Sequence, residues 1–250
     1  MASGQNLSEE NKRLSDVIAS YGEGAAPFDA AMRTFMMRTL EPYFREGPCL
    51  QVGCAHGEQT GLLLNRFNDL TVIEPTFEFL NHTRGKYSDR ATFVQALIED
   101  YETDQRFETI VFSHVLEHVI DPIGVISKLG RLLTPTGRLY VIVPNAEAPS
   151  RRIAVKMGIL SHLEALSADD IAAGHRRVYR QDTLSRDVLG AQLSIIATGG
   201  IMFKPLANFQ FNALMGGDII NDAFIEGCYQ LGQESPASCA SIYVVAGNEL

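Results

Sequence analysis

Leu50-Gln51-Val52-Gly53-Cys54-Ala55-His56-Gly57, followed by Leu70-Thr71-Val72-Ile73-Glu74, is the stretch that decides the fold. It reads as strand, glycine turn, helix, second strand and carboxylate. Glu74 stands 21 residues after Gly53. In a βαβ unit the first glycine lets the backbone turn tightly beneath a ligand. An acid about 20 residues on, at the tip of the next strand, accepts hydrogen bonds from ribose hydroxyls. The segment therefore predicts an adenosine-type cofactor at the carboxyl ends of a parallel sheet. The competing reading is an ordinary strand-to-helix turn.

The glycine pattern narrows the cofactor. A dinucleotide needs G-x-G-x-x-G, because the backbone must come close to a pyrophosphate. Here the spacing is Gly53-x-x-x-Gly57, with Ala55 between. Such a loop serves a diphosphate poorly. A ligand with ribose hydroxyls and no phosphate suits it better, and S-adenosyl-L-methionine is one. Its carboxylate can use backbone N–H groups at the helix start, near Gly57 and Glu58.

The rhythm continues in both directions. Strands are expected at 49–53, 70–74, 92–95, 108–113 and 138–143, with helices at 57–67, 76–86 and 121–133. This alternation predicts a doubly wound, mostly parallel α/β sheet. Before it, residues 1–46 read as an N-terminal helical cap. Gly22-Glu23-Gly24 breaks an early helix, and Phe28, Met32, Phe35, Met36 and Leu40 form an apolar stripe. Residues 47–250 form the cofactor-binding domain. After Pro144-Asn145 the rhythm fails over 146–180. A helix is expected near 181–190, strands at 193–198 and 240–246, and a second irregular stretch at 205–236. Long insertions of this kind are commonly lids or oligomer contacts.

Composition excludes several classes. A net charge of −9 argues against a nucleic-acid binder, which would need a basic face. No apolar run approaches the ~18 residues that span a bilayer. Residues 1–10 carry no secretory pattern. Cys49, Cys54, Cys228 and Cys239 form no C-x-x-C pair and read as buried thiols. The expected setting is cytoplasmic, with a small-molecule partner, no nucleic acid, no membrane, and a monomer or homodimer.

Beyond the glycine turn, ordered motifs over roughly residues 49–145 resemble class I S-adenosylmethionine-dependent methyltransferases, of the small-molecule, bacterial saccharide or secondary-metabolite type. Val52-Gly53-Cys54-Ala55-His56-Gly57 resembles the first motif, and Glu74 the ribose-binding acid. Phe107-Glu108-Thr109-Ile110-Val111-Phe112-Ser113-His114-Val115-Leu116-Glu117-His118-Val119 resembles the fourth strand and its loop. Leu132-Leu133-Thr134-Pro135-Thr136-Gly137-Arg138-Leu139 resembles the turn into the fifth strand, and Val143-Pro144-Asn145 its end. The resemblance implies a Rossmann-like seven-stranded sheet with N-terminal helices and lid insertions. It implies cofactor contacts from Gln51, Gly53, Cys54, Ala55, Gly57, Glu74, Pro75, Ala96, Leu97, Ile98, Ser113 and His114. The sequence departs from the family where Gln51 replaces an acid and Ala55 a glycine.

Methyl transfer from a sulfonium is an in-line displacement. The protein chiefly positions the partners, excludes water and, for a hydroxyl acceptor, removes a proton. His114 and His175 are the candidate catalytic bases, with His118 a third histidine that can instead cap or pack a helix. Arg176 and Arg177 are candidates to clamp an anionic acceptor, with Arg151 and Arg152 nearby; a solvated basic face is the alternative. Tyr179 and Asn208 are further candidate substrate contacts. Asn208, Gln210 and Asn212 would share a face if extended. No metal is needed and no metal ligands are assigned. One competing motif, His114-x-x-Glu117-His118, matches the H-x-x-E-H of inverted zinc proteases, but follows a strand rather than lying in a helix. A cofactor-fold protein that binds without turnover is the remaining alternative. The favoured reading is O-methylation of a polar, small acceptor, with N-methylation next.

Overall fold

Among the described residues, seven strands form one sheet in the order β3-β2-β1-β4-β5-β7-β6. The structure, a computed structural model, describes Arg13, Leu14, Val17, Gly24 and residues 26–248. Gly22 and Glu23 of the expected break, and most of the residues before them, lie outside the described residues. The strands are β1 (Cys49–Val52), β2 (Leu70–Ile73), β3 (Thr92–Val94), β4 (Phe107–Ser113), β5 (Leu133–Pro144), β6 (Ser194–Phe203) and β7 (Cys239–Gly247). The first five pair in parallel, and β7 runs antiparallel to both β5 and β6.

The central strands read as apolar runs because both faces are covered. Every residue of β1, β2 and β7 is buried. Alternation divides the side chains between two cores. On one face Cys49, Val72, Val111, Tyr140 and Ile142 pack with Phe28, Met32, Met36 and Leu40 of helix α1 (Pro27–Leu40). On the other, Leu50, Ile73, Ile110, Phe112, Val141 and Val244 meet α4 (Pro122–Leu132) and α7 (Gln181–Gly190). Each large side chain so buried is worth roughly 1.5–3 kcal/mol. The stripe predicted before the sheet is thus real. It belongs to the same core as the strands.

Two short helices complete the first half, α2 (Glu58–Leu64) and α3 (Phe77–Tyr87). The 146–180 insertion contains α5 (Pro149–Lys156) and α6 (Ala168–Ala172). The later one contains α8 (Asn208–Leu214) and α9 (Asp222–Glu234). Because α8 is helical, Asn208, Gln210 and Asn212 do not share an extended face. Gln210 instead accepts from the Ala207 N–H, and Asn212 from the Phe28 N–H. The strand expected at 193–198 runs on to Phe203, through Gly199 and Gly200.

The strand order reverses between β1 and β4. In a doubly wound sheet this switch point opens a crevice beyond the carboxyl ends of the strands. The turn after β1 and the loop after β4 flank it.

Candidate functional site

The first wall of the crevice is the turn 53–57. Gly53, Ala55 and Gly57 have φ of +80°, +44° and +88°. Ala55, where the family carries glycine, therefore adopts a left-handed conformation that costs an L-residue about 1–2 kcal/mol. Gly53 is required for a second reason. A Cβ there would lie 2.7 Å from Val115 Cγ2, so the loop after β4 packs directly on the turn. Gln51 is buried and braces this turn. Its Oε1 accepts from Thr60 Oγ1 at 2.9 Å, and its Nε2 donates to the Gly53 carbonyl at 3.0 Å. A carboxylate could not make the second bond, which explains the amide at this position.

Glu74 ends β2 beside that turn, buried. Its Oε2 accepts from the Cys54 N–H at 3.0 Å, and its Oε1 from Thr76 N–H and Oγ1 at 3.1 and 2.7 Å. These bonds fix the carboxylate and leave lone-pair capacity, since an ionised carboxylate has about four acceptor sites. Pro75 follows it. Leu97 and Ile98 are buried in the turn after β3, with Ala96 half-buried before them. Cys54 is buried, its Sγ 3.8 Å from the Phe79 carbonyl, and burial pushes its thiol far up. All four cysteines are free and buried.

The second wall is the loop after β4. Ser113 accepts from Arg33 Nη1 at 3.1 Å. His114 has φ +55°. Its N–H donates to the Ile142 carbonyl at 2.8 Å, and its Nε2 lies 3.0 Å from Ser241 Oγ. Burial, with the Arg33 charge, pushes its pKa well below 6.5 and keeps it neutral. His114 does not join Glu117 and His118, so the zinc-protease reading of H-x-x-E-H is corrected. The loop follows a strand, and its first histidine is turned to β7.

What gathers instead is Glu117, His118 and His175. One ligand-capable atom of each lies within 4.8 Å of the others. Glu117 is 1% exposed, and among the described residues neither carboxylate oxygen has a hydrogen-bond partner. Burial pushes its pKa up to about 7. His175 Nδ1 donates to Asp170 Oδ1 at 3.0 Å, while its Nε2 stands 4.0 Å from Glu117 Oε1. Burial alone would lower the His175 pKa, but the Asp170 bond and the Glu117 charge outweigh it and raise it. Asp170 is held far below the usual carboxylate range: burial opposes, but bonds from His175, Ser167 and Arg151 prevail. The His118 ring packs edge-on against His175, with centroids 4.8 Å apart, and its Nδ1 lies 3.3 Å from the Gly174 carbonyl.

The candidate substrate arginines are employed otherwise. Arg177 donates to the Leu116, Val119 and Ile120 carbonyls at 3.2, 2.5 and 3.4 Å. Arg176 Nε donates to the His118 carbonyl at 2.9 Å, and its backbone N–H to Glu117. Through these bonds they clasp the β4 loop. Arg151 binds Asp170 and the carbonyls of Leu163 and Ala165. Arg152 binds Glu147. Tyr179 is buried and donates to Asp187, and Asn208 lies exposed at the start of α8. Neither faces the cluster through any of these bonds.

Sequence reasoning missed Asp170, Asp29, Arg33 and Lys204. Asp29 and Arg33 come one turn apart on α1, and Lys204 follows β6. Lys204 Nζ stands 5.4 Å from the Phe28 ring; burial lowers its pKa to about 8, with Asp29 opposing. The helical spacing of Asp29 and Arg33, and the capping-box spacing Ser167-x-x-Asp170, are the signals that could have found them.

Residues 26–198 match the methyltransferase domain family. The chain belongs to that family. A ubiquinone biosynthesis O-methyltransferase from Idiomarina loihiensis is 25% identical over 166 residues, 64% of this chain and 67% of that one. Among solved structures, the fold matches the 1,6-didemethyltoxoflavin-N1-methyltransferase of Burkholderia thailandensis, with TM-score 0.64 and 15% identity over 100% of this chain and 92% of that one. It also matches the CcbJ methyltransferase of Streptomyces caelestis, at 0.63 and 15% over 96% and 99%. The N-methyltransferase NodS of Bradyrhizobium japonicum WM9 gives 0.59 and 15% over 96% and 99%. Among the described residues of this methyltransferase, no helix is long and apolar enough to cross a membrane.

Proposed function

We propose that this methyltransferase uses S-adenosyl-L-methionine to methylate an oxygen of a polar small molecule in the cytoplasm. The observation that carries the reading is the Glu74 carboxylate, fixed by the Cys54 N–H at the edge of the glycine turn. The donor set suits this cofactor. The turn holds no lysine or arginine for a diphosphate, and Glu58 opens α2 with an acidic charge. Glu74 keeps acceptor capacity for vicinal hydroxyls. Gly53 with Cys54 and Ala55 underlies the methionine end, Gly57 caps the helix start, and Ala96, Leu97 and Ile98 flank the base. The bound cofactor supplies an electrophilic methyl group on a sulfonium.

The chain's own residues do the rest. The β4 loop and both insertions enclose the acceptor and exclude water. Of the two histidines expected to act, His175 serves the acceptor oxygen, because Asp170 accepts from its Nδ1–H and so places the lone pair on Nε2, 4.0 Å from Glu117 Oε1. His114, neutral and tied to Ser241, holds the strand edge. Oxygen is favoured over nitrogen because a hydroxyl needs a group to take up its proton, and the curated relative is named an O-methyltransferase. The solved N-methyltransferases share only the fold.

Calorimetric titration with S-adenosylhomocysteine, with NAD in parallel, tests the reading. Saturable binding of the former alone is expected. Glu74→Gln should weaken it by about 1–3 kcal/mol, roughly 5- to 150-fold. Equal affinity in that variant removes the ribose assignment. No binding to the unaltered protein removes the cofactor.

A further inference from the structure

We propose that Glu117, His118 and His175 bind one divalent cation of the zinc class, and that this cation takes an oxygen of the acceptor. The role on the acceptor rests on the methyltransferase reading, whereas the cation site stands on the geometry alone.

Two imidazoles and one carboxylate converge within 4.8 Å. That donor set suits zinc and its first-row neighbours better than magnesium or calcium, which prefer all-oxygen shells. Ligands of a tetrahedral ion with bonds of about 2.0–2.1 Å stand roughly 3.3 Å apart. The 4.0 Å between His175 Nε2 and Glu117 Oε1, and separations of up to 4.8 Å across the cluster, must shorten to that when an ion binds.

Three further observations point to an ion. Glu117 is 1% exposed, and among the described residues both its oxygens lack hydrogen-bond partners. A buried carboxylate left so is costly unless something compensates it. His175 has the outer partner that metal-bound histidines have, since Asp170 accepts from Nδ1–H at 3.0 Å and so places the lone pair on Nε2. His118 Nδ1 lies 3.3 Å from the Gly174 carbonyl, which also accepts from Arg13 Nη1 at 2.8 Å. Arg151 Nη1 binds Asp170 Oδ2 at 2.9 Å, so the outer carboxylate is charge-matched and Glu117 is left for the ion.

Three protein ligands leave a coordination position open. Gly53 and Val115 place the loop carrying this cluster against the cofactor turn. An acceptor hydroxyl on the cation would lose its proton to water. Its oxygen pair then forms the bond to the methyl carbon, and the carbon–sulfur pair returns to sulfur, leaving a neutral thioether. In this arrangement His175 Nε2 acts on the acceptor oxygen through the cation, and water, in place of the imidazole, takes the hydroxyl proton.

The test is calorimetric titration of chelator-treated full-length protein with zinc chloride, followed by cobalt chloride with visible absorption. One ion per chain is expected, with cobalt giving a d–d band. Glu117→Gln, His118→Ala and His175→Ala should each weaken binding at least tenfold, and Asp170→Asn by roughly 10- to 100-fold. His162→Ala, at an exposed histidine outside the cluster, should leave binding unchanged. Each variant's melting temperature and affinity for S-adenosylhomocysteine check folding. Absence of saturable zinc binding, or binding undiminished in folded variants of the three ligands, overturns the site. Zinc binding without S-adenosylhomocysteine binding would retain the site and sink the cofactor reading. The reverse result would retain the cofactor and sink the site.

Discussion

Ala55 is the residue where sequence and backbone disagree most usefully. By its letter alone it is a departure from the family's glycine. Its φ of +44° shows that the loop keeps the glycine conformation and strains the alanine. Ala55→Gly should relieve that strain and lose some of the gain to unfolded-chain entropy. A net stabilisation of about 0.5–1 kcal/mol is expected in urea unfolding. A loss of stability would show that the methyl group packs usefully. Gln51 gives the matching lesson. Its two bonds, to Thr60 and Gly53, need one acceptor and one donor, which an acid cannot provide. Neither fact can be read from letters, because both depend on where the backbone carbonyls point.

At the scale of elements, β1 to β4 were legible to within about two residues, because buried parallel strands are short apolar runs between turn signals. The second half was less so. Helix α9 lay unread in the irregular 205–236 stretch, since Gly227 and Gly232 weaken helical propensity. Gly232 is there for fit: a Cβ would lie 2.8 Å from Phe203 N and 3.0 Å from Cys239 Sγ. Gly199 and Gly200 likewise read as the end of β6, though Gly199 admits the Tyr243 ring and Gly200 the Pro236 carbonyl. The cluster was hidden for another reason. Glu117 and His118 are adjacent, but His175 and Asp170 arrive from the insertion by tertiary folding, which no spacing rule encodes. The clasp between insertion and loop is testable. Arg177→Ala should destabilise the protein by about 1–3 kcal/mol through orphaned carbonyls, measured by denaturant unfolding. Arg177→Lys should not restore it, because an ammonium lacks the planar fork. Full recovery by lysine would mean that charge, not geometry, holds the loop.

For the whole molecule, pH exposes a cost of building a polar crevice inside a helix-covered sheet. Lys204 is the clearest instance, facing Asp29 from α1, Asp169 and Asp170 from α6, and Arg151 from α5. Its folded pKa of about 8 lies below the ordinary 10.5. Between those values the unfolded chain binds more protons, so this group's contribution to stability rises with pH from about 8 to about 10.5. Below about pH 8 the burial penalty is present in full. Lys204→Met should therefore raise the melting temperature at pH 7, and the advantage should shrink toward zero by about pH 10.5. A pH-independent difference between the two proteins would rule out desolvation of the amine as the cause.

The contact of Val115 with the Gly53 turn ties two thermodynamic quantities together. If an acceptor's arrival shifts the β4 loop, the turn beneath it must move or resist. Cofactor affinity then changes by some factor. Linkage requires that the cofactor change acceptor affinity by that same factor. The communication between the two substrates can thus be measured from the cofactor side alone, by titrating S-adenosylhomocysteine at rising concentrations of a trial acceptor, before any turnover is detected.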